Sequence, residues 1–140
     1  RREFDSLRTG QEKDDKANNE FSLAVYKDEY YDILTTEDIR FLQKCRSKGD
    51  WLIVGLHSDI IVHMSTNKLN NTYDDRQELL QSLKCVDEIL RFNDSDGTSC
   101  NLLKSVKLFY PQADITFISK HDMHNTPETK IRGITFEVIN

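Results

Sequence analysis

The amino-acid sequence predicts an α/β fold, in which a parallel β-sheet is flanked by helices. Apolar runs of strand length alternate along the chain with segments whose apolar residues recur at helical spacing. The run at residues 50–58, DWLIVGLHS, is apolar almost throughout, which is typical of a parallel strand covered on both faces. Because neighbouring parallel strands need crossover connections, helices are expected on both sides of the sheet.

The predicted elements follow one another in a β–α order. Strands are expected at residues 21–26, 50–58, 87–93, 113–119 and 133–140, and helices at 36–48, 73–86 and 99–111. In the first helix, Ile39, Phe41, Leu42 and Cys45 recur at roughly helical spacing, and Gly49 is expected to end the helix as its C′ residue. This order predicts a Rossmann-like sheet of about five strands.

Residues 1–20 are polar and charged without periodicity, which predicts a flexible or partner-bound N-terminal arm before a single domain at 21–140. The chain is 37% hydrophobic and 31% charged, as in soluble globular proteins, and has no apolar run of the about 18 residues that a membrane span needs. The first residues lack the apolar core of a signal peptide.

The net charge and the cysteines indicate which kinds of partner and which cellular location to expect. The net charge of −5 comes without a dense basic stripe, which argues against an extended nucleic-acid surface. Cys45, Cys85 and Cys100 are widely spaced and odd in number, as is typical of reduced thiols. We therefore expect a cytoplasmic location, or a place within an intracellularly assembled complex.

The stretch YYDILTTEDIRFLQKC, residues 30–45, has the pattern of a strand end, a tight turn and a helix start. Such turns often hold phosphates, because a helix N-terminus points backbone N–H groups at the ligand. Here the turn has no Gly, His or Lys, and Glu37 and Asp38 stand where an anion would sit. Thr35 or Thr36 is instead a good N-cap, and acids in the first turn are favourable to the helix dipole.

Four further segments appear in a recognisable order. These are KGDWLIVGLHSD at 48–59, Lys68 followed by YDDRQELL at 73–80, KCVDEIL at 84–90 and ADITFISKHDM at 113–123. From about residue 25 to residue 122 the sequence resembles the cytidylyltransferase-like nucleotidyltransferase family. The resemblance is greatest to glycerol-3-phosphate cytidylyltransferases and to the adenylyltransferase domain that acts on heptose 1-phosphate.

The resemblance implies a reaction in which a substrate phosphate attacks the α-phosphate of a nucleoside triphosphate and pyrophosphate leaves. Positioning and charge stabilisation carry the rate of such a transfer. The family's His-x-Gly-His tetrad is replaced here by the tetrad at residues 35–38, TTED, although Asp32 keeps the register. A late Gly-Gly pair is replaced by Lys120 and His121, while Asp122 remains.

By this resemblance the vestigial nucleotide- and phosphate-binding positions are Asp32, Thr35, Asp38, Lys68, Arg76 and Asp122. Removing one oriented transition-state donor costs about 100- to 1,000-fold in rate, and here two His donors are missing together. The sequence therefore predicts a non-catalytic domain kept for binding or assembly, with a protein partner bound through the arm or with self-association.

The alternative is an active cytidylyl- or adenylyltransferase that acts on a sugar or polyol phosphate. It would use CTP or ATP with Mg²⁺, Lys68 as the candidate catalytic residue, and Glu37 and Asp38 as metal ligands. Lys68 is otherwise a solvated loop residue, and Arg76 would pair with Asp75, with Glu78 or with a phosphate.

The remaining candidate site residues are histidines, considered as metal ligands or as general acids. His121, Asp122 and His124 could contribute ligands to Zn²⁺, but the spacing is weak without a fourth ligand, and a polar loop is the preferred interpretation. His57 ends the second strand and is expected to be partly buried with its hydrogen bonds satisfied; a general acid is the other reading of His57 and of His63.

Overall fold

The computed structural model describes residues 21–28 and 34–139. The predicted N-terminal arm at 1–20 and the predicted site residue Asp32 lie outside these ranges. The described strands are β1 (Ser22–Lys27), β2 (Trp51–Leu56), β3 (Glu88–Arg91), β4 (Asp114–Ser119) and β5 (Ile134–Val138). They form one sheet in the order β3-β2-β1-β4-β5, and every neighbouring pair is parallel. The predicted α/β fold with a Rossmann-like parallel sheet is confirmed.

The order of the strands creates a crevice at the carboxyl end of the sheet. The chain begins in the centre with β1, moves outward through β2 to β3, and then returns to the other side of β1 as β4. Connections therefore diverge in opposite directions between β1 and β4. In open α/β sheets, ligands bind at such a switch point, outside the carboxyl ends of the strands.

Helices cover both faces of the sheet. They are α1 (Thr36–Arg46), α2 (Asp59–Thr66), α3 (Tyr73–Gln81) and α4 (Cys100–Phe109), and a short 3₁₀ turn spans Pro127–Lys130. α1 and α3 contribute to one core with Ala24 and Tyr26 of β1, and α4 contributes to the other with Leu23 and Val25. Successive residues of β1 thus enter opposite cores, as the two-residue period of a strand requires. All six residues of β2 are buried, which confirms the prediction of a strand covered on both faces.

Helix α2 was not predicted, because its sequence, DIIVHMST, looks like a continuation of the apolar run of β2. Only Val62 of this helix is buried, while Ile60 and Met64 are exposed. The helix begins where it does because Ser58 is its N-cap and accepts a hydrogen bond from the Ile61 N–H at 3.3 Å.

Two predicted helix ends are wrong. α3 ends at Gln81 rather than at residue 86. α1 ends at Arg46 with Ser47 as its C-cap, so Gly49 is not the C′ residue. Gly49 is needed for a close approach instead, because a Cβ atom there would lie 2.9 Å from the Ala24 backbone nitrogen and 3.0 Å from the Ser22 carbonyl oxygen.

No helix in the described ranges is both long enough and apolar enough to cross a membrane.

Candidate functional site

The first turn of α1, where the sequence analysis placed a possible anion site, is closed by its own side chains. Thr35 Oγ1 accepts a hydrogen bond from the Asp38 N–H at 3.2 Å. The Asp38 carboxylate in turn accepts from the Thr35 N–H at 2.9 Å, and the Thr35 hydroxyl lies 2.9 Å from the same oxygen. This reciprocal arrangement is a capping box and confirms Thr35 as the N-cap.

His57 lies buried at the carboxyl end of β2, between two buried carboxylates. Its backbone N–H donates to Asp28 Oδ1 at 2.9 Å, and its Nδ1 atom lies 3.1 Å from Asp94 Oδ2. The Phe92 ring packs beside the imidazole, with 5.9 Å between the ring centroids. The expectation that the hydrogen bonds of His57 are satisfied is confirmed, but the side chain is fully rather than partly buried. Its partners come from the ends of both neighbouring strands.

Asp94 joins this cluster to the start of α2. Its carboxylate accepts from the Ser58 N–H at 2.8 Å and from the Ser58 hydroxyl at 3.1 Å. Burial raises the pKa of the Asp94 carboxyl, but the hydrogen bonds from Ser58 and His57 and the charge of His57 lower it more, so the net pKa is below its ordinary value. The carboxylate is therefore held ionised at the N-terminus of α2, where the helix dipole favours negative charge.

Arg76 of α3 is fully buried and contacts three segments: the end of β2, the start of α2 and the loop before α3. Its guanidinium pairs with Asp59 at 2.8 Å, donates to the His57 carbonyl at 2.8 Å and donates to the Asn71 carbonyl at 3.3 Å. The expectation of a structural ion pair is confirmed, but the partner is not Asp75 or Glu78. The sequence suggested those residues because they are near in α3, whereas the side chain points inward to the start of α2.

Lys68, the candidate catalytic residue, lies in the loop between α2 and α3 and is exposed. The loop leaves α2 through Asn67, whose φ of 64° is left-handed, and Arg76 holds its other end at Asn71. The Lys68 carbonyl accepts a hydrogen bond from the Thr66 hydroxyl at 2.5 Å. The structure thus fixes the backbone of this loop at both ends and presents the Lys68 side chain to solvent.

The start of α4 also holds a carboxylate. The Ser99 N–H donates to Glu128 Oε2 at 2.7 Å, and both residues are buried. Glu128 comes from the 3₁₀ turn that follows β4, so this contact ties the turn to the N-terminus of α4.

A cleft of about 390 Å³ opens at the switch point between β1 and β4. Lys27 lines it from the end of β1, and Lys120, His121 and Asp122 line it from the segment after β4. Lys120 also reaches toward α1, where its ammonium lies 4.7 Å from the centroid of the Phe41 ring. The cleft therefore combines these two lysines and His121 with the carboxylates of Asp122 and Glu128. The Asp122 carboxylate accepts a hydrogen bond from the His124 N–H at 3.0 Å.

Some predicted site residues are brought together and others are not. Thr35 and Asp38 contact each other, and Arg76 holds the loop that carries Lys68. Asp122 lies at the cleft.

In the part of the chain that the structure describes, no three His, Cys, Asp or Glu side chains form a group suited to a metal ion. One oxygen of the Asp38 carboxylate, considered above as a Mg²⁺ ligand beside Glu37, accepts two hydrogen bonds from Thr35. Among the described residues, this pair is not part of a group of three such side chains.

The sequence analysis missed Asp28, Asp94 and Glu128. Asp28 and Asp94 do carry a signal, since each is an acid that comes shortly after an apolar strand and therefore lies at the carboxyl edge of a parallel sheet. Glu128 carries no comparable signal, because it lies in the 3₁₀ turn and does not come directly after a strand.

The sequence is similar to a known protein family and to several known proteins. The sequence pattern of the cytidylyltransferase-like family matches residues 30–138. The bifunctional protein HldE of Wolinella succinogenes is 33% identical over 85 residues, 59% of this chain and 18% of that protein. HldE of Pseudomonas fluorescens is 33% identical over 96 residues, 67% of this chain and 19% of that protein. The chain therefore matches less than a fifth of the length of these relatives.

A solved structure shares the fold. The lipopolysaccharide core biosynthesis protein of Thermoplasma volcanium superposes with a TM-score of 0.64 at 21% identity, covering 86% of this chain and 97% of that one. The strand order, the switch-point cleft and the sequence match over residues 30–138 agree with one another, and this chain belongs to the cytidylyltransferase-like family.

Proposed function

We propose that this domain is a degenerate member of the family that does not transfer nucleotides and serves as a binding or assembly module. The observation that supports this proposal is that three helix N-termini at the carboxyl end of the sheet each hold a carboxylate of the chain itself. The pairs are Thr35 with Asp38, Ser58 with Asp94, and Ser99 with Glu128.

A phosphate and a carboxylate compete for the same N–H donors at a helix N-terminus. Phosphate groups bind at helix N-termini because the N–H groups there point outward and the dipole favours negative charge. A carboxylate satisfies both requirements. A triphosphate that approached the start of α1 would have to displace the Asp38 carboxylate and would also meet the charge of Glu37. Like charges placed together weaken binding, most of all in a partly dry cleft.

The vestigial phosphate positions support the same proposal. The Arg76 guanidinium forms an ion pair with Asp59 and hydrogen bonds with two backbone carbonyls, so we propose that its role is structural. Lys68 keeps an exposed position, and we propose that it is a remnant of phosphate binding rather than a working ligand.

The binding role is proposed to involve a protein partner, through the N-terminal arm or through self-association, in the cytoplasm or in an intracellularly assembled complex. A rigid α/β scaffold offers surfaces that are independent of the old reaction site. Since the chain matches less than a fifth of the length of HldE, neither the activity nor the substrates of such whole proteins are transferred to it.

Pyrophosphate release tests this proposal. The chain is incubated with MgCTP or MgATP and with glycerol 3-phosphate or heptose 1-phosphate, beside the HldE protein of Wolinella succinogenes as a technical control. We expect release that does not exceed the level in the absence of the chain. Release that depends on the chain and disappears in Lys68→Ala would overturn the proposal.

The second candidate function is transfer of a cytidylyl or adenylyl group to a sugar or polyol phosphate. The observation that favours it is the switch-point cleft of about 390 Å³, into which Lys27 and Lys120 bring positive charge. Lys120 stands where the family has glycine, so it would supply a phosphate contact that the missing histidines no longer give. The same assay distinguishes the two candidates, because Lys120→Ala would lower an existing activity and would leave an absent one unchanged.

A further inference from the structure

Two large apolar side chains are exposed together at the C-terminal end of α4. Leu108 is 76% exposed and Phe109 is 57% exposed, whereas the other side of the helix buries Leu102, Leu103 and Val106. Single exposed apolar residues are common on protein surfaces, while contiguous apolar patches mark interaction sites. We call Leu108 and Phe109 the α4 tip. Neither residue belongs to the two cores of the described domain, so packing within the fold does not account for this pair.

The helix that carries the α4 tip is positively charged. Its sequence, CNLLKSVKLF, contains two lysines and no acid. Lys104 is exposed four residues before Leu108, and residues four apart lie on the same side of a helix. Asp96, whose carboxylate interacts with Lys104, precedes the opposite end of the helix. The outer face of α4 therefore combines exposed apolar side chains with positive charge.

The outer face of α3 carries the opposite charge. The sequence of α3, YDDRQELLQ, contains three acids, and its one cation, Arg76, is buried. A cavity of about 320 Å³ opens on this face and is lined by Asn71, Asp75, Glu78, Leu79 and Ser82. We call this cavity the α3 pocket. It offers an exposed leucine beside two carboxylates, which is the complement of what the outer face of α4 presents.

The α4 tip and the α3 pocket lie on opposite faces of the sheet. α3 packs on the core that contains Ala24 and Tyr26, and α4 packs on the core that contains Leu23 and Val25. The tip therefore cannot reach the pocket of its own chain, but it can reach the pocket of a second copy. A head-to-tail contact of this kind leaves one tip and one pocket unused, so it can repeat along a row of chains.

We propose that the α4 tip of one chain binds in the α3 pocket of a second copy of the chain. Leu79 contacts the apolar side chains of the tip, and the lysines of α4 face Asp75 and Glu78. Complementary charge of this kind favours one partner and one orientation. The inference rests on the self-association named in the proposed function, but its test follows molecular mass and not nucleotide transfer, so the two can fail separately.

The mass of the full chain in solution tests the proposal. Sedimentation equilibrium at concentrations from about 5 to about 500 µM should give a weight-average mass that rises past that of a dimer, because the contact can repeat. A mass that stays at that of a single chain, or that stops at that of a dimer, would overturn the proposal.

Two variants, each lacking one half of the contact, identify the surfaces. Leu108→Ser with Phe109→Ser removes the α4 tip, and Glu78→Lys reverses a charge in the α3 pocket. Each variant alone should associate at least about tenfold more weakly than the wild type, because either apolar contact or charge complementarity is lost. An equimolar mixture should form one-to-one dimers and nothing larger, because the intact tip of one variant binds the intact pocket of the other. A mixture that does not associate contradicts a head-to-tail contact between these surfaces.

Ile60→Ser with Met64→Ser is the matched control. These side chains are 71% and 73% exposed on α2 and belong to neither the α4 tip nor the lining of the α3 pocket. The change removes a similar amount of exposed apolar surface, so the mass should depend on concentration as in the wild type. An equal loss of association in this control and in the tip variant would refute the assignment to the tip.

Discussion

His57 is the residue at which the carboxyl ends of three neighbouring strands meet. It ends β2, its backbone N–H binds Asp28 after β1, and its ring contacts Asp94 after β3. Its carbonyl oxygen accepts from Arg76. Burying charged groups is costly unless each finds partners, and here the partners are supplied within the cluster. Asp28, His57, Asp94 and Arg76 thus satisfy one another's hydrogen bonds.

The buried guanidinium of Arg76 gives the first prediction at this scale. Arg76→Met removes the ion pair with Asp59 and two hydrogen bonds to carbonyl oxygens, and we expect the free energy of unfolding to fall by about 2–3 kcal/mol. The ion-pair share is reduced because the Asp59 side chain is 42% exposed and can be rehydrated. Urea unfolding measures the change. Arg40→Met, at an exposed position of α1, is the control, and an equal effect of both substitutions would contradict the role given to Arg76.

Asp94 predicts a dependence of stability on pH. Because its pKa is lower in the folded protein than the unfolded value of about 3.9, the carboxylate stabilises the fold fully above that value, and this contribution is lost as the pH falls through the folded pKa. Asp94→Asn should therefore be less stable than the wild type at pH 6, and the difference should narrow at pH 3. Thermal unfolding at the two pH values checks this, and a difference that stays constant or widens in acid would count against it.

At the scale of elements, the sequence predicts most of the architecture because the relevant signals are local. The apolar run of β2 and the threonines before α1 each predict their own local structure, and both the buried strand and an N-cap at Thr35 are confirmed. Helix α2 escaped prediction because its apolar residues are not confined to one face, and Val62 alone is buried. The buried cluster escaped because Asp28, His57 and Asp94 meet only after the sheet has formed.

Gly49 gives a prediction about how α1 is joined to β2. A Cβ atom at this position would press on the backbone at the start of β1, which cannot move without disturbing the sheet. Gly49→Ala should therefore destabilise the fold by about 1–3 kcal/mol, measured by urea unfolding. Lys48→Ala, which removes a partly exposed ion pair with Glu137, is the control and should cost less than about 1 kcal/mol. A neutral Gly49→Ala would show that the close approach is not tight.

At the scale of the whole molecule, the two edges of the sheet differ. The carboxyl edge, where relatives of this fold bind ligands at the switch point, carries helix N-termini that hold the chain's own carboxylates. The amino edge carries the end of α3 and the starts of β3 and β1. This difference between the two edges could not be inferred from sequence, because it depends on which side chains fold inward.

Nucleotide binding, followed through thermal stability, tests the central claim most directly. The full chain is heated with MgATP or MgCTP raised to several millimolar. A ligand present at 100 times its Kd would stabilise the fold by about 2.7 kcal/mol and raise the midpoint by several degrees. The proposed loss of the phosphate sites predicts a midpoint that does not move by more than about 1 °C. A saturable rise of several degrees with either nucleotide, smaller in Lys68→Ala, would contradict the account.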